Sequence, residues 1–401
     1  MMNILFISKN STYTKTRYGG AEFSIRLIAE ELAKLGHNIN YITFDINRGF
    51  WPTHKKTLIN DVEIFMLRKL RVPSRFSRIR FISGLIYRVN KYIRKTSISI
   101  IVRKKDIQVV YCLYELELLQ LLLDIQNNHF KIIMRMAGMH WYEKCLKDPS
   151  QIIKWEDTFN KIDAVNYVSA GQKQMVEDKF QELNMKVSFR NIIFADIGTI
   201  LANSGGVYHK KKKSKIFKVI MASRFSNYQK RQDIIVRAIA LLNPEISINV
   251  KLIGSGPQVS SIRKLIKQMN AEDRITIIPF LKQNDLWQEL ANADLLCHAC
   301  DYEGTSKIIL ESMALGLPVL ASNVAPVNDY IIEGYNGLLV DNDPVLWAKK
   351  IEEVINNETL RLRVSKNSRK YIAKHHNPAE KARFYEKEFC MIKNTSGSLD
   401  K

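Results

Sequence analysis

Glu303-Gly304-Thr305-Ser306-Lys307-Ile308-Ile309-Leu310-Glu311-Ser312-Met313-Ala314-Leu315-Gly316-Leu317-Pro318-Val319-Leu320-Ala321 reads as a turn, a helix, a second turn and a strand. Thr305 or Ser306 supplies the hydroxyl that caps the helix, and Gly316 with Pro318 stops it before the strand Val319-Leu320-Ala321. The first amides of a helix have no partner within it, so donors collect beside Gly304, where a phosphate is well received. Glu303 and Glu311, with seven residues between them, add carboxylates that accept from sugar or ribose hydroxyls. Donors for phosphate beside acceptors for hydroxyls make half of a nucleotide-sugar pocket.

The same alternation runs along the whole chain. Short β-branched or apolar runs at 3–8, 39–44, 62–67, 109–113, 131–135, 164–168 and 192–194 are separated by helical patterns, which predicts βαβ units around a parallel sheet. Tyr208-His209-Lys210-Lys211-Lys212-Lys213-Ser214-Lys215 has charge without periodicity and reads as an exposed linker. Strand runs then resume at 218–222, 249–253, 276–278, 295–297, 318–321 and 337–340. The predicted organisation is α/β: a first doubly wound domain over 1–205, a linker over 206–215, a second domain over 216–377 and a terminal helix with its tail over 378–401.

At Glu303-Gly304-Thr305-Ser306 and Glu311 the chain resembles the retaining, GT-B-fold glycosyltransferases that use nucleotide sugars, the glycosyl transferases group one. The family's Glu-Gly-Phe-Gly opening appears with Thr305 and Ser306 in its last two places, which keeps the amides and alters the shape of the sugar pocket. The resemblance implies two Rossmann-like domains facing a cleft, the first for the acceptor and the second for the donor, with the helix from Pro378 crossing back onto the first domain. It assigns Glu303 to the donor sugar and Glu311 to ribose hydroxyls. Arg224 follows a strand and Lys230 opens a helix; in the family such a pair clamps the diphosphate, whose negative charge grows as the anomeric bond breaks. The resemblance puts Gly19 and Gly20, in Tyr18-Gly19-Gly20-Ala21-Glu22, near the diphosphate and acceptor, and Phe280 with Leu281 near the nucleobase. His140 falls where a family histidine faces the donor sugar, although a histidine after an apolar strand also serves as a structural hydrogen-bonder. Glu22 reads as a first-turn helix charge and Gly254-Ser255-Gly256-Pro257 as a structural turn.

No metal and no cofactor besides the donor substrate is expected. Cys297-His298-Ala299-Cys300 lacks a second pair to complete a zinc site, and Asp341-Asn342-Asp343 precedes Pro344, which makes Asp343 a helix N-cap rather than a metal ligand. The odd count of five cysteines, with Cys112, Cys145 and Cys390 far apart in sequence, argues against a disulfide framework. The start lacks a signal-peptide pattern and no apolar run approaches the ~20 residues that span a bilayer, so the expectation is a cytoplasmic protein.

The net charge of +21 is unevenly placed. From Ile64 to Lys105 there are thirteen Lys or Arg and no Asp or Glu, and Phe81, Ile82, Leu85, Ile86, Val89, Tyr92 and Ile93 recur among them at helical spacing. A basic amphipathic helix of this kind lies on an anionic membrane; a helix docked on its own domain with a solvated basic face has the same periodicity. With the family resemblance, the pattern points to a saccharide or lipid-linked saccharide acceptor at the inner face of the membrane, in bacterial envelope polysaccharide assembly, with a UDP or GDP sugar as donor. The rival readings are an epimerase or a phosphorylase of the same architecture, or a basic nucleic-acid-binding protein. No nucleic-acid partner is expected, because no paired aromatics on a basic sheet are recognisable.

Overall fold

The computed structural model describes residues 1–14, 20–45, 55–68, 80–127, 129–199, 201, 215–226 and 229–395, with the side chains at 45, 68 and 80–82 excepted. It divides into two compact units, one of residues 1–197 with 378–401 and the other of residues 198–377. The sequence reading put the first boundary at 205; the structure places it at 197, and the residues read as the linker lie almost wholly outside the described ones.

In the first unit the elements run β1 (Asn3–Ser8), α1 (Gly20–Lys34), β2 (Asn38–Asp45), β3 (Lys55–Ile59), β4 (Val62–Arg68), α2 (Arg80–Lys104), β5 (Val109–Leu113), α3 (Leu116–Gln126), β6 (Lys131–Arg135), α4 (His140–Lys147), α5 (Ser150–Lys161), β7 (Ala164–Tyr167), α6 (Ala170–Glu182) and β8 (Ile192–Phe194). The sheet order is β3-β4-β2-β1-β5-β6-β7-β8, parallel except where β3 runs against β4. Strands such as Ile4 to Ile7 are buried on both faces, which is why they read as continuous apolar runs rather than alternating ones. β3 has no such face: its lysines and Leu58 are exposed at the sheet edge, so hydrophobic periodicity does not reveal it.

The second unit continues with β9 (Phe217–Ala222), α7 (Gln232–Leu241), β10 (Ile248–Ile253), α8 (Val259–Gln268), β11 (Ile275–Ile278), α9 (Gln283–Ala291), β12 (Leu295–His298), α10 (Lys307–Leu315), β13 (Val319–Ser322), α11 (Val327–Tyr330), β14 (Leu338–Val340), α12 (Pro344–Asn356) and α13 (Glu358–His375). Its all-parallel sheet has the order β11-β10-β9-β12-β13-β14. Numbered within the unit this is 3-2-1-4-5-6, the doubly wound dinucleotide-binding order, and its direction of winding reverses between β9 and β12.

The last helix, α14 (Pro378–Asn394), belongs to the first unit. Ala382, Tyr385, Phe389 and Ile392 bury themselves in that unit's core with Phe6, Tyr111 and Ile28. The Tyr385 hydroxyl donates to the carbonyl of Ala195 at 3.0 Å, so the buried phenol is satisfied.

Candidate active site

The winding reverses between β9 and β12, and doubly wound sheets take their ligands at the carboxyl ends of the strands that flank such a reversal. The segments that leave the two strands pair with one another there. Arg231 N donates to Ala299 O at 3.1 Å and Asp301 N to Gln229 O at 3.0 Å, while Arg231 Nη1 reaches Asp301 Oδ1 at 2.9 Å. Asn342 braces the pair from the loop before α12, donating to Cys300 O at 2.9 Å, and Asp343 caps α12 through the amides of Val345 and Leu346. One lysine and one glutamate far apart in sequence, Lys230 and Glu303, are thereby fixed face to face.

Lys230 Nζ donates to Glu303 Oε2 and lies 3.2 Å from His298 Nε2. His298 Nε2 is 2.9 Å from the same Glu303 oxygen, and Ser306 Oγ is 3.4 Å from His298 Nε2. The other oxygen of Glu303 accepts from the Gly304 amide at 3.1 Å. Burial pushes Lys230 down to about 8, with the Arg224 charge acting in the same direction. Burial and the Lys230 charge hold His298 well below the ordinary histidine range, so the imidazole is neutral. Arg224 itself is exposed and its carbonyl accepts from Gln232 at 3.0 Å.

Gly254 and Gly256 let the loop after β10 approach this arginine-bearing segment. A Cβ on Gly254 would sit 2.0 Å from the Ser223 carbonyl oxygen, and one on Gly256 would sit 2.1 Å from that of Phe225. Both glycines also have positive φ, so side chains are excluded by shape and by backbone.

Ser306 occupies the N-cap of α10 without a side-chain capping bond, contrary to the capping role read from the sequence, because its hydroxyl turns to His298. Two of the amides expected to be available are engaged: Gly304 N by Glu303, and Ser306 N by the Tyr330 hydroxyl at 3.3 Å. Thr305 stands between them, half-buried. Gly316 ends α10 in the left-handed conformation. Glu311 lies one helix turn beyond Lys307 and is fully buried. Its carboxylate accepts from Gln283 at 3.0 Å and pairs with Lys307 at 3.1 Å; burial raises the Glu311 carboxyl and lowers the Lys307 amine. Phe280 is exposed and Leu281 half-buried in the loop between β11 and α9.

Gly20 opens α1 and Glu22 sits in its first turn, while Gly19 lies outside the described residues. His140 opens α4, its ring largely exposed and its Nδ1 3.2 Å from Glu143.

Residues 208–371 match the family described as glycosyl transferases group 1. This part of the chain is a group 1 glycosyl transferase domain. An uncharacterized glycosyltransferase of Haemophilus influenzae is 31% identical over 123 residues, which covers 30% of this chain and 34% of that protein. The lipopolysaccharide core biosynthesis glycosyltransferase LpsE of Rhizobium meliloti is 29% identical over 115 residues, 28% of this chain and 33% of LpsE. The chain thus spans about a third of the length of these curated relatives. Among solved structures, the sucrose-phosphate synthase of Thermosynechococcus elongatus superposes with a TM-score of 0.75 at 17% identity over 99% of this chain and 100% of the synthase. Anabaena HepE in complex with UDP and glucose superposes with a TM-score of 0.71 at 16% identity over 98% of this chain and 100% of HepE. These likenesses show the fold, the GT-B class of two parallel-sheet domains.

In the group 1 domain the sequence reading missed His298, Gln283, Asn342 and Tyr330. Each acts through a contact between segments distant in sequence; His298 and Asn342 fall in the motifs Cys297-His298-Ala299-Cys300 and Asp341-Asn342-Asp343, which the sequence offers only as metal sites and argues against. The ligand atoms of His298, Cys300 and Glu303 do lie within 4.8 Å of one another. His298 and Glu303, however, both turn their facing atoms to the Lys230 ammonium, so a metal cation would have to displace that charge first.

Proposed function

We propose that the chain is a retaining glycosyltransferase that moves a hexose-type sugar from a UDP or GDP sugar to a saccharide or lipid-linked saccharide without a metal ion. The observation that carries this reading is the buried Lys230–Glu303 pair at the winding reversal of a group 1 domain, with Arg224 beside it. Charge develops on the leaving diphosphate as the anomeric carbon–oxygen bond breaks. Lys230 and Arg224 are the cations that meet it, and exchange of the ammonium from Glu303 to phosphate frees the carboxylate for the donor's sugar hydroxyls. The acceptor hydroxyl attacks from the leaving-group face and its proton passes to the departing phosphate oxygen, so configuration is retained without a side-chain nucleophile. Glu311 is assigned to the ribose hydroxyls, which take over the donors that Gln283 and Lys307 now supply. Gly304, Thr305 and Ser306 are assigned to the donor and Phe280 with Leu281 to its base; the assignments of His140 to the donor sugar and of Gly19 and Gly20 to the diphosphate and acceptor rest on the family resemblance alone.

The basic helix supports a membrane-proximal acceptor. In α2 the apolar residues Leu85, Val89 and Tyr92 are exposed by 53%, 36% and 71%, and Arg88 and Lys91 are exposed beside them. This part of the stripe is turned to solvent, while Ile86 and Ile93 are half-buried, and an apolar edge exposed beside cations favours lipid over a merely docked helix. Ile98, Ile101 and Val102 anchor the far end of α2 in the core. Lys69, Arg71, Arg75 and Arg78 of the same basic stretch lie outside the described residues. No helix among the described residues is long and apolar enough to cross a membrane, so the contact proposed is peripheral, at the inner face. The name of LpsE fits envelope glycan assembly.

Thermal-shift measurements against a panel of UDP and GDP sugars test the donor; a ligand at a hundred times its dissociation constant adds about 2.7 kcal/mol. An anomeric product spectrum then reads the stereochemistry. No shift with any nucleotide or nucleotide sugar overturns the transferase reading.

A further inference from the structure

His298 closes β12 at the centre of the Lys230–Glu303 pair and is 1% exposed. Its Nε2 faces a carboxylate oxygen at 2.9 Å and an ammonium at 3.2 Å, two neighbours with opposite demands. A lone pair on Nε2 would be repelled by Glu303, whereas a proton there donates to it, and Lys230 already has Glu303 as its acceptor. The buried Nδ1 has no hydrogen-bond partner among the described residues, so no donor or acceptor on that side selects the opposite tautomer.

Resting on the transferase reading above, we infer that His298 is a positioning residue: as a neutral Nε2–H imidazole it holds the Glu303 carboxylate at the donor site. It does so without adding a second charge beside Lys230. When the ammonium turns to the diphosphate, the His298 bond remains and keeps Glu303 aimed at the sugar. A cationic side chain here would compete with Lys230 for the same oxygen, and an apolar one would leave the carboxylate held only by the ammonium it must release.

The experiment compares His298→Leu and His298→Gln with wild type, using UDP binding by calorimetry and release of UDP from UDP-glucose as readouts. Gln places an amide N–H where Nε2 stands. His298→Leu is expected to bind UDP within about twofold of wild type and to lose about tenfold to a hundredfold in kcat with little change in KM, the scale typical of outer-shell partners. His298→Gln is expected to recover most of that loss, and its rate profile should parallel wild type between about pH 5 and 8, since a neutral imidazole has no proton to gain there. Equal kcat in His298→Leu, or equal loss in both variants, overturns the positioning role. A readout independent of turnover is the 15N spectrum of histidine-labelled wild-type protein. A neutral Nε2–H ring that does not titrate over the same range is expected, and a titrating ring overturns the inference. If wild type neither binds nor turns over any nucleotide sugar while this spectrum is as expected, the transferase reading fails and the His298–Glu303 geometry stands.

Discussion

Lys230 is held charged by one neighbour and pushed toward neutrality by its surroundings. Glu303 gives it an acceptor, but burial lowers its proton affinity to about 8 from an ordinary 10.5. Since the clamp needs the ammonium, the proposed transfer is complete at pH values below that point and declines as pH rises through it. Lys230→Arg keeps its charge at every accessible pH, so the alkaline limb of its rate profile should vanish even if its maximal rate is lower; a limb at the same pH assigns the titration to another group. Lys230→Ala is expected to lower turnover by about a hundredfold or more, the scale of one lost oxyanion donor. Full activity in that variant removes the clamp. Glu311 is legible in the sequence as a second carboxylate, yet its burial against Lys307 and Gln283 is not, because Gln283 arrives from a different helix.

Among the elements, α12 and α2 show how differently local signals survive folding. Asp343-Pro344 specifies a helix start by itself: the carboxylate accepts two first-turn amides and proline sets the first φ. Asp343→Ala is expected to cost about 1 kcal/mol in denaturant unfolding of the second unit, and an unchanged midpoint would count against the cap. In α2 the period was legible, but which side turns inward was not. Ile98 is buried while Tyr92 is exposed, a choice made by the sheet and α3 against which the helix lies. The structure also sorts the cations: Arg94 stacks on Phe44 at 4.7 Å and Lys95 faces Asp124 at 3.6 Å, whereas Arg88 and Lys91 point outward. Arg88→Glu with Lys91→Glu should therefore abolish co-sedimentation with anionic vesicles, since each exposed cation contributes about 1 kcal/mol. Wild type that ignores anionic vesicles at low salt ends the membrane proposal and leaves the transferase proposal in place.

At the scale of the molecule, the chain leaves its first unit at Ile197 and returns at Pro378. Phe389 is fully buried among first-unit side chains, so Phe389→Ala is expected to cost about 3–5 kcal/mol there. Hydrogen exchange should speed up in β1 and β5 and stay unchanged in β9 and β12; loosening in both would mean one cooperative unit. The sequence alone determined the α/β class, most strand positions and two doubly wound domains, and it singled out Arg224, Lys230, Glu303 and Glu311 as candidates. Period, turn residues and short motifs are local, and each records which face is apolar or which backbone is required. Only the tertiary structure decided the order of strands, the edge strand β3, the boundary at Ile197 and the placement of His298 between Lys230 and Glu303. Those depend on which segments meet across the sheet, and Lys230 and Glu303, 73 positions apart, carry no local mark of that meeting. It is set by the burial of β9 against β12, which brings their two ends together.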